Sequence, residues 1–288
     1  VRSLDQLSEA IHARLLSPFA GALAHVHRLI ISPDSALTRL PFETLRDGSG
    51  LLVAQLDVSY VQSLAVYAEL MHRVQTRKTA APKALLSVAD PLYPAPNLLL
   101  SSQDPLRRLL ASGWKALPGT RKESQALVAG VSGKGAQQLV GRSASKARLM
   151  QMDRSGDLSG FQVLHFATHG YVDDERSALV LTPTEDPMSA YLRDMELLDW
   201  HLKSDLVLLS ACNTGIGREV RGEGIVGLPY AFFMAGNINT VMSLWPVDDA
   251  GTAVFMPAFM QRIRQGEDVV QALSETKRAF AQGVYGDA

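Results

Sequence analysis

Apolar residues recur at helical spacing at Leu4, Leu7, Ile11, Leu15 and Leu16, which predicts an amphipathic helix at the start of the chain. A β-branched run over 28–32 then ends at Ser32-Pro33-Asp34, where proline fixes φ and removes a backbone donor, so strand and turn follow helix. Residues 51–61 read as a longer strand. Ser63 caps a helix over 63–74 that turns Leu64, Tyr67, Ala68 and Met71 inward, and a further strand is expected over 84–88.

Pro91, Pro94, Pro96 and Pro105 punctuate the next stretch, and Leu117-Pro118-Gly119-Thr120 breaks the pattern again. These breaks suggest a supporting α/β half over 1–118 and a second half over 119–288. In the second half helices and strands alternate: helix 123–129, strand 137–140, helix 145–152, strand 161–168, strand 178–181, helix 194–198, strand 205–210, helix 224–235, strand 240–244. Two helices, 250–264 and 268–281, close the chain. Such alternation predicts a mostly parallel central sheet covered by helices on both faces, a three-layer α/β sandwich. Leu206-Val207-Leu208-Leu209 has no polar alternation and suits a strand buried on both sides.

With 288 residues, 47% of them hydrophobic, the chain can bury a sizeable core. A net charge of -1 supplies no field for a polyanion, so no direct nucleic-acid partner is expected. No run of 18 apolar residues predicts a membrane span. One cysteine excludes an internal disulfide and a cysteine-rich metal site, and points to a reducing compartment, the cytoplasm. The chain begins at Val1 with an amphipathic helix, as if cut from a longer protein carrying an upstream domain.

In parallel α/β sheets functional groups collect beyond the carboxyl ends of the strands. Two such ends carry reactive groups. In Leu164-His165-Phe166-Ala167-Thr168-His169-Gly170, alternation buries His165 and leaves His169 just past the strand end. In Leu208-Leu209-Ser210-Ala211-Cys212-Asn213-Thr214-Gly215, the single cysteine follows a buried strand. A thiol is intrinsically nucleophilic and needs only a positioned proton donor, which imidazole supplies near neutral pH. The amides of Gly170 and Cys212 are candidate oxyanion donors. Taken singly, each has an ordinary reading: free cysteine is among the most buried residue types, and His165 reads as a satisfied core histidine. The pair is the stronger signal, because both residues fall at the same end of one expected sheet. The helical zinc-protease pattern, the phosphate loop and the serine elbow are all missing, so neither metal nor cofactor is expected.

These segments resemble the catalytic blocks of the CHAT domain, a caspase-like peptidase domain related to separases and often joined to tetratricopeptide repeats. Gly222-Glu223-Gly224, Ala231-Phe232-Phe233-Met234-Ala235-Gly236 and Ser243-Leu244-Trp245-Pro246-Val247-Asp248-Asp249 resemble the later blocks. Leu40-Pro41-Phe42-Glu43-Thr44-Leu45, Val58-Ser59-Tyr60 and Ala89-Asp90-Pro91 resemble upstream landmarks. The resemblance implies a caspase-like sandwich preceded by a degenerate caspase-like half. It also implies metal-free peptide hydrolysis with Cys212 as nucleophile and His169 as its partner. Control by an upstream sensor, tetratricopeptide-repeat domain or activating partner follows from the same likeness, as does the prokaryotic defence setting of many members.

Caspase-like enzymes take specificity from a pocket beside the nucleophile. Asp173, Glu223, Asp248 and Asp249, with Trp245, are therefore the candidate substrate-binding residues, and their charge favours a basic P1 residue in a protein substrate. The competing reading is a catalytically silent caspase-like module that docks partners.

Overall fold

The computed structural model describes residues 3–77, 79–94, 113–131, 135–173, 176–184, 186–210, 218–220, 224–245, 247 and 249–285. The chain forms two compact units, one of Val1–Ala68, Arg221–Gly224 and Ala258–Ala288, the other of Glu69–Val220 and Ile225–Pro257.

The first unit contains α1 (Leu4–Leu15), α2 (Ala20–Leu23), β1 (Arg28–Ile31), β2 (Arg46–Asp47), β3 (Gly50–Leu51), α3 (Leu52–Gln55) and β4 (Asp57–Tyr60). Helix α4 (Leu64–Thr76) starts in this unit and ends in the second. Ser3 and Gln6 form a reciprocal capping box that satisfies two orphan amides at the start of α1. The expected strand over 51–61 is broken in two: Leu51 pairs with Arg46 in the antiparallel β2–β3 pair, and Asp57–Tyr60 pairs in parallel with β1. Leu52 and Val53 are instead buried on the single helical turn α3. Leu16, Phe42, Leu45, Leu52, Leu56 and Val58 make the core of this unit.

Glu43 shows how the unit tolerates a mostly buried charge. Burial pushes its carboxyl up, but the neighbouring Lys277 ammonium, which donates to Oε1 at 2.6 Å, and the Tyr60 hydroxyl together hold it below its usual range. A depressed carboxyl contributes stability that is present above its unfolded value and is lost as pH falls through the folded one. Urea stability is therefore expected to decline below about pH 4.5, and more gently in Glu43→Gln; identical acid limbs would remove Glu43 from the titration.

The second unit is built on five parallel strands. These are β5 (Lys83–Pro91), β6 (Ala136–Gly141), β7 (Phe161–Ala167), β11 (Leu206–Leu209) and β14 (Asn239–Met242), in the order β14-β11-β7-β5-β6. Helices α5 (Pro118–Ala129), α6 (Lys146–Arg154), α7 (Asp194–Leu197) and α8 (Leu228–Met234) belong to the same unit. Every residue of β11 is buried, as its unbroken apolar run demands. Strand β5 precedes residue 118 yet pairs with both β7 and β6. The sheet therefore draws on both sides of the expected division at 118, and the compact units do not follow that boundary.

A second sheet joins β8 (His169–Val172), β9 (Ser177–Val180) and β10 (Tyr191–Arg193) in antiparallel order β10-β9-β8. The strand expected over 178–181 is thus the middle of a small antiparallel sheet rather than part of the parallel one. Short strands β12 (Arg218–Val220) and β13 (Gly224–Val226) precede α8, which starts later than its apolar run because Pro229 suits the first helical turn. Helices α9 (Asp249–Arg264) and α10 (Val269–Ala281) end the chain.

Gly236 terminates α8 at φ 109°, and a Cβ there would stand 2.4 Å from the Leu202 carbonyl oxygen. Gly236→Ala is expected to cost about 1–3 kcal/mol in chemical denaturation, since left-handed backbone and a backbone clash both oppose the methyl. An unchanged midpoint would show that this turn relaxes freely.

Candidate functional site

Strands β7 and β11 are parallel neighbours in which Phe166 pairs with Leu209. His169 follows Phe166 by three residues, and Cys212 follows Leu209 by three. Neighbouring strands lie about 4.8 Å apart, so β7 and β11 run to the same level of the sheet. Cys212 itself, with Glu223 and Asp248, lies outside the described residues. Asp249 is described only as the first residue of α9.

His169 is partly buried and opens β8 rather than sitting in a loop. Its imidazole is flanked by the Trp114 ring, with centroids 4.8 Å apart, and by the Tyr93 ring at 5.3 Å. Its Nε2 lies 2.8 Å from the carbonyl oxygen of Lys115. A carbonyl can only accept, so this contact assigns the N–H to Nε2.

Tyr93 also braces the backbone. The His169 amide donates to the Tyr93 hydroxyl at 3.3 Å, and that hydroxyl donates to the Val180 carbonyl at 3.0 Å, bridging β8 to β9. Burial pushes the Tyr93 phenol well above its ordinary range, so it stays a neutral donor. The chain reaches this position through a bulge at the end of β5, where Asp90 takes a positive φ of 46° and the register with β6 shifts. Arg121 holds the Asp90 carboxylate at 2.6 Å and the Thr120 hydroxyl accepts from its amide at 3.0 Å, which offsets the strain of that backbone.

Gly170 is the second residue of β8. The Asp173 amide donates to the Arg176 carbonyl at 2.9 Å, so by antiparallel alternation the Tyr171–Ala178 pair is hydrogen-bonded and the Gly170–Leu179 pair is not. The Gly170 N–H therefore points away from β9, off the edge of the described sheet.

Asp173 ends the same hairpin with its carboxylate engaged by the Arg176 amide at 2.7 Å, the Arg176 guanidinium and the Tyr171 hydroxyl. Trp245 is half exposed beyond the end of β14, the strand beside β11. His165 is fully buried, as expected from the alternation of β7, and both of its nitrogens are within hydrogen-bonding distance of side chains.

Tyr93, Trp114 and Lys115 are the residues that sequence reasoning missed. Lys115 lies 54 positions from His169, and no spacing rule links them. The one usable signal is two aromatic residues flanking a proline-rich stretch. Among the described residues no helix is long and apolar enough to cross a membrane.

The CHAT domain family model matches residues 5–285. Tetratricopeptide repeat protein 28 of Homo sapiens is 26% identical over 322 aligned positions, which cover 93% of this chain and 12% of that protein. Its Mus musculus counterpart is 27% identical over 321 positions, with the same coverage. The chain thus spans about one eighth of the length of these curated relatives. With a five-stranded parallel sheet, flanking helices and a family match over nearly all of its length, the chain belongs to the CHAT domain family and to its caspase-like fold.

Proposed function

We propose that this chain is a cysteine endopeptidase that cleaves a protein substrate with Cys212 as nucleophile and His169 as acid and base. The observation that carries the reading is the shared register of β7 and β11, from which the two residues depart at equal offsets. The clamp on His169 supports it, since a histidine held between two tilted aromatic rings and tied through Nε2 is oriented rather than merely accommodated.

In this reading the Cys212 sulfur attacks the scissile carbonyl carbon, and the amides of Gly170 and Cys212 receive the negative charge that develops on its oxygen. The carbon–nitrogen bond breaks as His169 passes the proton it took from the Cys212 thiol to the leaving amine. Water then attacks the thioester, His169 takes its proton, and the acid product leaves with the thiol restored. A free thiol near pKa 8.5 is only a few per cent thiolate at neutral pH, so alignment matters as much as basicity.

A basic P1 side chain fits the acidic residues near the strand ends. With the Asp173 carboxylate engaged by Arg176, the proposal gives the P1 contacts to Asp248 and Asp249, with Trp245 as an aromatic wall for a cationic stem. An attached repeat or sensor domain is the proposed regulator. It is supported by curated relatives that are named for tetratricopeptide repeats and extend far beyond the matched segment. The lone cysteine supports a reducing compartment such as the cytoplasm.

The test is covalent labelling by a peptidyl arginine acyloxymethyl ketone, comparing wild type, Cys212→Ala and His169→Ala in the full-length protein. Labelling confined to Cys212 supports both the peptidase and the basic P1. No labelling with any P1 side chain, with or without candidate partners, favours the silent docking module. Trp114→Ala is expected to lower kcat about tenfold by loosening the imidazole, with KM little changed in steady-state assays.

A further inference from the structure

We infer that Glu123 is a positioning residue for the Cys–His pair, because one of its carboxylate oxygens gathers donors from both strands that lead to the pair. Oε1 lies 3.0 Å from His165 Nε2 on β7, four residues before His169. The same oxygen accepts from the Ser210 hydroxyl at 2.7 Å, two residues before Cys212. The inference rests on the peptidase reading for its consequence but on described side chains for its geometry.

The network extends further. His165 Nδ1 lies 2.8 Å from the Ser87 hydroxyl on β5, which is 2.6 Å from the Ser124 hydroxyl on α5, and Ser124 accepts from the Gln138 amide on β6 at 2.8 Å. A single proton pattern satisfies every contact: Gln138 donates to Ser124, Ser124 to Ser87, Ser87 to His165 Nδ1, and both His165 Nε2–H and Ser210 donate to Glu123. Ser87, Ser124 and His165 are fully buried and Glu123 is 4% exposed.

A carboxylate this deep is costly unless its donors are in place, and charge-assisted bonds to it are the stronger kind. Its demand for both donors therefore acts on the two strand ends together. Within the sheet the backbone ladder already sets their register, but β11 ends at Leu209. Ser210 carries the register one residue further, through its amide to the Phe166 carbonyl at 2.9 Å and through its hydroxyl to Glu123. The segment that leads to Cys212 is thereby anchored to the strand that leads to His169.

The experiment exploits the single cysteine of the chain. Second-order rates of Cys212 alkylation by iodoacetamide are measured for wild type, Ser210→Ala, His169→Ala and the double variant, alongside kcat and KM on a cleaved peptide. Positioning requires coupling: His169→Ala changes the alkylation rate about threefold or more with Ser210 present and little without it. Ser210→Ala lowers kcat about tenfold at unchanged KM, and Ser210→Thr, which keeps the hydroxyl, recovers most of the rate. Equal effects of His169→Ala in both backgrounds, or a raised KM at unchanged kcat, overturn the inference. If wild type neither hydrolyses peptides nor takes the peptidyl ketone, the peptidase reading falls, and the alkylation cycle still decides whether the Ser210 bond to Glu123 positions the thiol.

Discussion

His169→Ala is expected to lower kcat for peptide hydrolysis by roughly 10²–10⁴-fold, the range that a positioned general acid and base contributes. The leaving amine is the reason. A thioester forms readily from a thiolate, but an amine anion is too poor a leaving group to depart without a proton, and on the proposed reading the imidazole beside Trp114 and Tyr93 is the donor. His169→Gln separates this role from packing, because glutamine can still bond the Lys115 carbonyl but cannot shuttle a proton near neutral pH. Both variants should remain alkylatable at Cys212, and both should lose the limb of the pH–rate profile that wild type owes to imidazole. A wild-type rate in either variant would take His169 out of the chemistry.

The largest effect on stability is expected for Phe166→Ala, at about 3–5 kcal/mol. Phe166 is fully buried in β7 between Val88 of β5 and Leu209 of β11, with its ring centroid 5.7 Å from that of Phe232 on α8. Truncation removes that aromatic contact and opens a cavity at the centre of a close-packed layer. Phe166 also packs where β7 and β11 approach their carboxyl ends, so on the proposed reading activity should fall further than the unfolded fraction accounts for. Denaturant unfolding with kcat measured in parallel checks both parts. Phe166→Leu, which refills most of the volume, should recover most of the stability. A loss below about 1 kcal/mol for the alanine variant would mean that the layer collapses onto the gap.

Much of the second unit was legible in the amino-acid sequence because its signals are local. Hydrophobic periodicity marked β5, β6, β7, β11 and β14 within a few residues of their observed ends, and the all-apolar run 206–209 announced a strand buried on both faces. The ordered motifs around His169 and Cys212 carried the family, which the match over residues 5–285 bears out. Period-two alternation placed His165 in the core, where it is fully buried.

Tertiary structure alone decided three things. It put β5 between β7 and β6, because a parallel neighbour can come from anywhere in the chain and leaves no local trace. It made β8, β9 and β10 an antiparallel sheet beside the main one, turning His169 from a loop residue into the first residue of a strand. It supplied the surroundings of that histidine, since Tyr93, the Lys115 carbonyl and Trp114 converge on it across 54 to 76 positions. Periodicity reports which face of an element is buried. Which distant groups share that burial, and so which protons they hold, depends on long-range packing that only the folded chain contains.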